Sequence, residues 1–327
     1  MASPVRDFIE YHFLHYNARE LTACANGFRA HLDAGGKMMV TLAGAMSTAR
    51  IGRSLAPMIR AGHVHAITCT GANLEEDVFN LLASDRYEAL PHWRSLSAED
   101  EVALYERGMN RVTDTAIPED VMREVEKRMH VLWAAAAADG RRLFPYEMFR
   151  EVLGQEDLAG HFVLDPAESW MLAAKEAGIP IYTPGWEDST MGNMFTAWCM
   201  REGHEAHPVL RSGTEALAAL AAWYRDASGP GTGRPSVGFF QIGGGIAGDF
   251  PICAVPMLIQ DLEEADTPFW GFFAQISDAV TSYGGYSGAV PNEKITWGKL
   301  AASTPKFMIQ SDATIVAPLI FAHVLGD

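Results

Sequence analysis

Residues Val237 to Gly245 read VGFFQIGGG, a short apolar run that stops in three glycines. The same design recurs along the chain. KMMVTLAGA (Lys37–Ala45), AITCTGA (Ala66–Ala72), IPIYTPG (Ile179–Gly185), FWGFFAQI (Phe269–Ile276) and KFMIQSDA (Lys306–Ala313) are strand-like runs. Most end in Gly, Ser, Thr or Asp and give way to helical patterns. That alternation predicts an α/β fold: a doubly wound, mostly parallel sheet with helical additions. In such sheets ligands bind beyond the carboxyl ends of the strands, which points to a Rossmann-like nucleotide site there. Helices are expected over Glu119–Asp139, where Val121, Val125, Met129 and Trp133 recur every four residues, and over Glu168–Ala177, Asn193–Glu202 and Gly213–Asp226. Phe8, Tyr11 and Leu14 give an amphipathic helical pattern to the first 35 residues. Asp85–Thr115 is polar and broken by Pro91, a candidate lid or oligomer contact, and Ala227–Ser236 is a turn-rich surface loop. We read residues 1–327 as one domain.

With 48% hydrophobic and 20% charged residues, the chain has the composition of a globular protein with a substantial core. A net charge of −16 argues against nucleic acid, whose phosphates require a basic surface. It suits a cationic small molecule, although acidity also serves solubility alone. Cys24, Cys69, Cys199 and Cys253 are dispersed without a CxxC pair, as expected of free thiols in a reducing cytoplasm. No apolar stretch reaches the roughly 18 residues of a membrane span, and the N-terminus lacks the apolar run of a signal peptide.

Each candidate site has a bland counterpart. GGGIAG (Gly243–Gly248) follows a strand and fits GxGxxG, but DFPICAVPML, with Pro251 and Pro256, is a poor helix start. The acids of TGANLEED (Thr70–Asp77) either bond a ribose or answer a helix dipole. In EDSTMGN (Glu187–Asn193), Asp188 or Ser189 is equally a helix N-cap. His63, His65 and Cys69, or His204 and His207, lack the four-ligand spacing of a structural zinc site, so no metal is expected. The most specific stretch is EKITWGKL, Glu293 to Leu300. It sets Lys299 behind Trp297 and Gly298, with Glu293 six residues upstream. An aromatic neighbour can exclude water and favour a neutral amine, which attacks an imine or carbonyl carbon as an ammonium cannot.

Taken in order, TGANLEED (70–77), ERGMNR (106–111), IPIYTPGWEDSTMGN (179–193), QIGGG (241–245), PNEKITWGK (291–299) and QSDA (310–313) resemble the blocks of the deoxyhypusine synthase family. The resemblance runs from about residue 37 to the end. It implies NAD and a polyamine in one pocket: NAD takes a hydride from spermidine, the imine is captured by a lysine, 1,3-diaminopropane leaves, and the aminobutyl group passes to an acceptor amine. By position it implies Lys299 as nucleophile, with Glu293 and Trp297 holding the polyamine. Thr48, Thr70, Gly71, Glu76, Asp188, Gly243, Gly244, Ala279, Asp312 and Ala313 match the family's NAD contacts. It further implies a homotetramer of tight dimers with active sites at the dimer interface.

Several positions depart from that pattern. Asp249 stands where the family carries its active-site histidine, and Asn193 where it carries an aspartate. Tyr283 and Tyr286 stand where aspartates precede the WGK block. The nucleotide side and the nucleophile are kept, whereas the polyamine side, comprising Asp249, Asn193, Tyr283 and Tyr286, is rebuilt. Three functional classes follow. One is an NAD-dependent aminobutyl transferase whose acceptor is a protein lysine or a small amine such as putrescine, the latter a homospermidine synthase-like activity. The second is a non-catalytic NAD or polyamine binder, for which Lys299 would be superfluous. The third, an ordinary NAD dehydrogenase, has no need of WGK.

Overall fold

The computed structural model describes residues 3–281 and 284–327, and of residues 204–206 only the backbone. Among the described residues, nine strands form two sheets: β1 (Met38–Leu42), β2 (Ala66–Cys69), β3 (Glu88–Ala89), β4 (Met109–Val112), β5 (Thr115–Pro118), β6 (Ile181–Tyr182), β7 (Gly238–Ile242), β8 (Phe272–Ile276) and β9 (Lys306–Ile309). Six of them make one wholly parallel sheet in the order β6-β2-β1-β7-β8-β9. These are the six runs read from the sequence. Numbered among themselves they give the 3-2-1-4-5-6 order of doubly wound sheets, which places the topological switch between β1 and β7.

Strand periodicity divides the sheet into two buried faces. Val40, Ile67, Phe240 and Ala274 meet the helices Tyr16–Asp33, Gly52–Arg60, Gly71–Ala83 and Ala313–Leu325 in the larger core. Met39, Ala66, Phe239 and Phe273 face a smaller core closed by Gly213–Ala227 and the segment from Gly245 to Asp261. On this second face the residue after each apolar one is polar. Thr68, Thr41, Gln241 and Gln275 stand side by side in register across β2, β1, β7 and β8, all fully buried. Buried polar side chains need partners: Thr68 turns to Met39 Sδ in the sheet, whereas Gln241 and Gln275 are met by residues of the site described below.

The expected helices form at Glu119–Ala138, Trp170–Glu176, Thr190–Glu202 and Gly213–Ala227. Two readings change. Despite its prolines, the segment after the glycines starts a helix at once, Gly245–Ile252, and continues through Ala254–Pro256 into a wide turn at Met257–Asp261. Pro251 costs one helical hydrogen bond, and the helix breaks shortly after it, at Cys253. At the N-terminus, Pro4–His12 and Tyr16–Asp33 are helical, but Phe8, Tyr11 and Leu14 are exposed. Ile9, buried, is the residue that packs on the last helix, while the Arg6 guanidinium donates to the His323 carbonyl. The polar stretch from Asp85 is ordered as a helix, Ala98–Glu106, beside the antiparallel sheet β3-β5-β4.

Candidate active site

The stretch Glu293–Lys299 is built around a helix stop. A short helix, Glu293–Thr296, ends when Gly298 takes φ +67°, a left-handed conformation that favours glycine. The Gly298 N–H donates to the Ile295 carbonyl and the Lys299 N–H to the Lys294 carbonyl, both 3.1 Å. This pair of bonds is the Schellman closure, in which glycine occupies the position after the cap. A Cβ on Gly298 would also sit 2.8 Å from the Gln260 side chain. The glycine of WGK therefore shapes the turn and fixes Lys299 against Lys294. From the other side the Trp270 N–H donates to the Lys299 carbonyl at 3.3 Å.

Lys299 is buried and lines a cavity of about 460 Å³ together with Asp249, Cys253, Tyr286, Glu293, Lys294 and Trp297, a volume suited to a small ligand. Its Nζ lies 3.2 Å from Asp249 Oδ1. Asp249 projects from Gly245–Ile252, the helix that follows β7, and its carboxylate also accepts from Cys253 Sγ at 3.8 Å. Burial raises the Cys253 thiol above its usual range, so it is held as a thiol rather than a thiolate. The Tyr286 ring lies 5.4 Å from Lys299 Nζ and 4.8 Å from Lys294 Nζ. Its hydroxyl donates to Gln241 Oε1 at 2.9 Å, and Gln275 Nε2 donates to the Ser287 carbonyl at 2.7 Å. The polar row of the sheet is thus the floor on which this wall rests. Burial, with Asp249 and Cys253 nearby, pushes the Tyr286 phenol well above its ordinary value, so it stays a hydroxyl donor.

Asp249, Tyr286, Glu293, Trp297 and Lys299, expected together, are together. Trp297 does not bury the lysine as expected: it is 62% exposed at the rim, its ring 6.0 Å from Lys299 Nζ. Tyr286 is the ring nearer the amine. Asn193 lies outside this cavity. It shares a groove with Asp188, Arg123 and Arg201, and its amide is spent on the Glu187 and Ser189 carbonyls. Tyr283 lies outside the described residues. Lys294, Gln241, Gln275, Ser287 and Cys253 were not singled out from the sequence. The signal for the glutamines was present as one polar residue just before the last apolar residue of β7 and of β8.

The positions matched to nucleotide contacts lie along the carboxyl edge. Thr70 and Gly71 follow β2, Gly243 and Gly244 follow β7, Ala279 follows β8, and Asp312 and Ala313 follow β9. Asp188 is exposed beyond β6, while Ser189 is the N-cap there, accepting from the Gly192 N–H. Asp312 also caps a helix, accepting from the Thr314 N–H at 2.7 Å. The three acids of TGANLEED separate by role. The helix begins at Gly71, so they fall in its second turn, buried, and not at its dipolar end. Glu75 accepts from the Thr190 and Met191 N–H groups, and Asp77 from Ser169 Oγ and the Met171 N–H, so both cap other helices. Glu76 instead accepts from the Thr48 hydroxyl and N–H in the loop after β1, beside the switch point. Burial raises Glu76 to about 7 and Asp77 to about 6. Among the described residues no three His, Cys, Asp or Glu side chains gather as a metal site, and no helix is long and apolar enough to cross a membrane.

A family model for deoxyhypusine synthase matches residues 8–324. A deoxyhypusine synthase-like protein of Cyanothece is 32% identical over 99% of this chain and 79% of its own length. The "Probable deoxyhypusine synthase 1" of Methanosarcina acetivorans is 25% identical over 86% of this chain and 78% of its own. Among solved structures, a "putative deoxyhypusine synthase" from Entamoeba histolytica superposes with a TM-score of 0.59 at 11% identity, covering 94% of this chain and 87% of that one. That likeness bears on the fold alone.

Proposed function

The chain belongs to the deoxyhypusine synthase family, and from this premise we propose that it is an NAD-dependent aminobutyl transferase acting on spermidine or a related polyamine through an imine on Lys299. The observation that carries the reading is the Lys299 amine, buried and 3.2 Å from the Asp249 carboxylate, in a cavity beyond the carboxyl edge of the sheet. Asp249 is within reach to take a proton from the Lys299 ammonium. The neutral amine attacks the imine carbon of the oxidised donor, and the proton departs with 1,3-diaminopropane as the carbon–nitrogen bond breaks. The aminobutyl group is then held on Lys299 until the acceptor amine displaces it. Tyr286 and Trp297 supply ring faces for the methylene chain and its ammonium, and Glu293 a carboxylate at the rim.

NAD, when bound, supplies the oxidation of the donor and the later return of the hydride. The residues at the switch point suit a dinucleotide. Gly243 has φ +79°, and a Cβ on it would fall 2.7 Å from that of Ala43, so the β7 turn is open only to glycine. Glu76 and Thr48 present a carboxylate and a hydroxyl on the other side, as ribose hydroxyls require. Thr70, Gly71, Asp188, Gly244, Ala279, Asp312 and Ala313 complete the edge. We infer a homotetramer with its sites at dimer interfaces, so that Asn193 and Asp188, outside this chain's own lysine cavity, serve a neighbouring copy. Four free cysteines accord with a cytoplasmic protein. The acceptor is a protein lysine or a small amine.

Borohydride reduction in the presence of spermidine and NAD tests the reading. Peptide mapping should place the aminobutyl mass on Lys299 and find none on the Lys299→Arg variant, which keeps the charge without the nucleophile. An adduct on another residue, or none in a preparation that consumes spermidine, refutes it.

A further inference from the structure

The least expected group in the cavity wall is Lys294. It is 2% exposed, and its Nζ has no hydrogen-bond partner and no carboxylate within 4 Å among the described residues. It rests between the rings of Phe273, at 4.9 Å, and Tyr286, at 4.8 Å. The carboxylates of the cavity are placed elsewhere: Asp249 is paired with Lys299, and Glu293 is exposed at the rim. In a Schellman closure the two residues joined by the outer hydrogen bond commonly make an apolar contact. Here those residues are Lys294 and Lys299, so the turn that presents the nucleophile ties a second cation to it.

Glu293 and Asp249 attract the Lys294 ammonium only from beyond ion-pair distance, and a buried ammonium so weakly answered is costly, a breach of the packing rules expected where function demands it. A polyamine cannot answer it, because every polar group of a polyamine is itself a cation at neutral pH. A carboxylate can. We propose that Lys294 is a specificity-determining residue whose ammonium selects an acceptor amine bearing a carboxylate, of the ω-amino acid class, over di- and polyamines. The donor must bind beside the same ammonium before its fragment is captured on Lys299, so the selection by Lys294 is read on the acceptor, which arrives once 1,3-diaminopropane has left. The inference rests on the reading of this cavity as the amine site and narrows the acceptor that reading leaves open.

Ornithine and 1,4-diaminobutane form the matched pair for the test, since they share a four-carbon diamine skeleton and differ by one carboxylate. Their dissociation constants are measured by calorimetry on the full chain with NAD present, for wild type, Lys294→Met and Lys294→Arg. Wild type should favour ornithine. Lys294→Met should lower that preference by roughly tenfold to a hundredfold, the effect of one charge at about 6 Å in a partly buried site, and Lys294→Arg should keep it. The inference is overturned if wild type favours the diamine, if neither ligand binds, or if the Met variant leaves the ratio unchanged. Lys299 trapping on the same preparations separates the two claims. An adduct without carboxylate preference removes this inference and leaves the transfer reading standing, and a carboxylate preference without an adduct does the reverse.

Discussion

Replacing Lys294 with methionine should make the protein more stable at neutral pH, and the gain should disappear in alkali. Burial, and secondarily the charge of Lys299, lowers the Lys294 ammonium from 10.5 to about 8 against the weaker opposing pull of Glu293 and Asp249. At about 1.4 kcal/mol per pH unit, that displacement is a cost of about 3 kcal/mol whenever folded and unfolded chains both carry the charge. The sign follows from the order of the two titrations. Below pH 8 both states are protonated and the folded state bears the whole cost. Between 8 and 10.5 the folded lysine is neutral while the unfolded one is still charged, so the cost falls with rising pH, and above 10.5 it is gone. Methionine has similar length and keeps contact with Phe273 and Tyr286 but forfeits the cation–π attraction, about 1 kcal/mol. The expected net gain is therefore about 2 kcal/mol at pH 7. Urea unfolding at fixed protein concentration, run at pH 7, 8.5 and 10.5 on both proteins, measures it. A Met variant less stable than wild type at pH 7, or equally stabilised at pH 7 and pH 10.5, would refute the claim that an unpaired charge is buried there.

Two further outcomes follow from the same geometry. NAD affinity should rise from pH 5.5 to about pH 7 by up to roughly tenfold per unit and then level off. Glu76, raised to about 7, is then the ionised acceptor for a ribose; calorimetry with Glu76→Gln should lose this slope, and an unchanged slope would clear Glu76 of the role. Gly298→Ala should cost about 1–3 kcal/mol, from the left-handed φ, and should depress borohydride-trapped adduct per folded molecule. A variant with full trapping would show that the turn does not position Lys299.

The six sheet strands were legible because a strand of a parallel sheet, covered on both faces, is a nearly unbroken apolar run, and because each run here ends in residues a ligand edge tolerates. Lys299 was legible through the glycine beside it, although the glycine's task is to close a helix. Three things were hidden. The acids 75–77 form one block in the sequence, yet two cap helices more than ninety residues away and only Glu76 faces the switch point, a division set by topology. The hairpin β4–β5 has no apolar alternation to announce it, because only one end of it is buried. Lys294 looked like any charged residue on a short helix, since its burial depends on Tyr286 and Phe273 arriving from segments eight and twenty-one residues earlier.

The departures from the family pattern are coupled through one ring. Tyr286, where the resemblance places an aspartate, contacts both lysines and hands its hydroxyl to Gln241 in the buried polar row. An aspartate is too short to make that bond from the same backbone, and it would set a carboxylate beside Lys294. With tyrosine there, Lys294 Nζ rests on ring faces, and Asp249 supplies a carboxylate to Lys299, 3.2 Å away. Measured against the resemblance, an acid absent at 286, an acid present at 249 and an ammonium at 294 with no close carboxylate describe one rearrangement. Set against the pattern the resemblance implies, negative charge lies beside Lys299 and not at position 286. On the proposed reading the far end of the ligand meets a cation, and that inversion of charge, more than the exchange of any single residue, is the physical reason to expect a different acceptor.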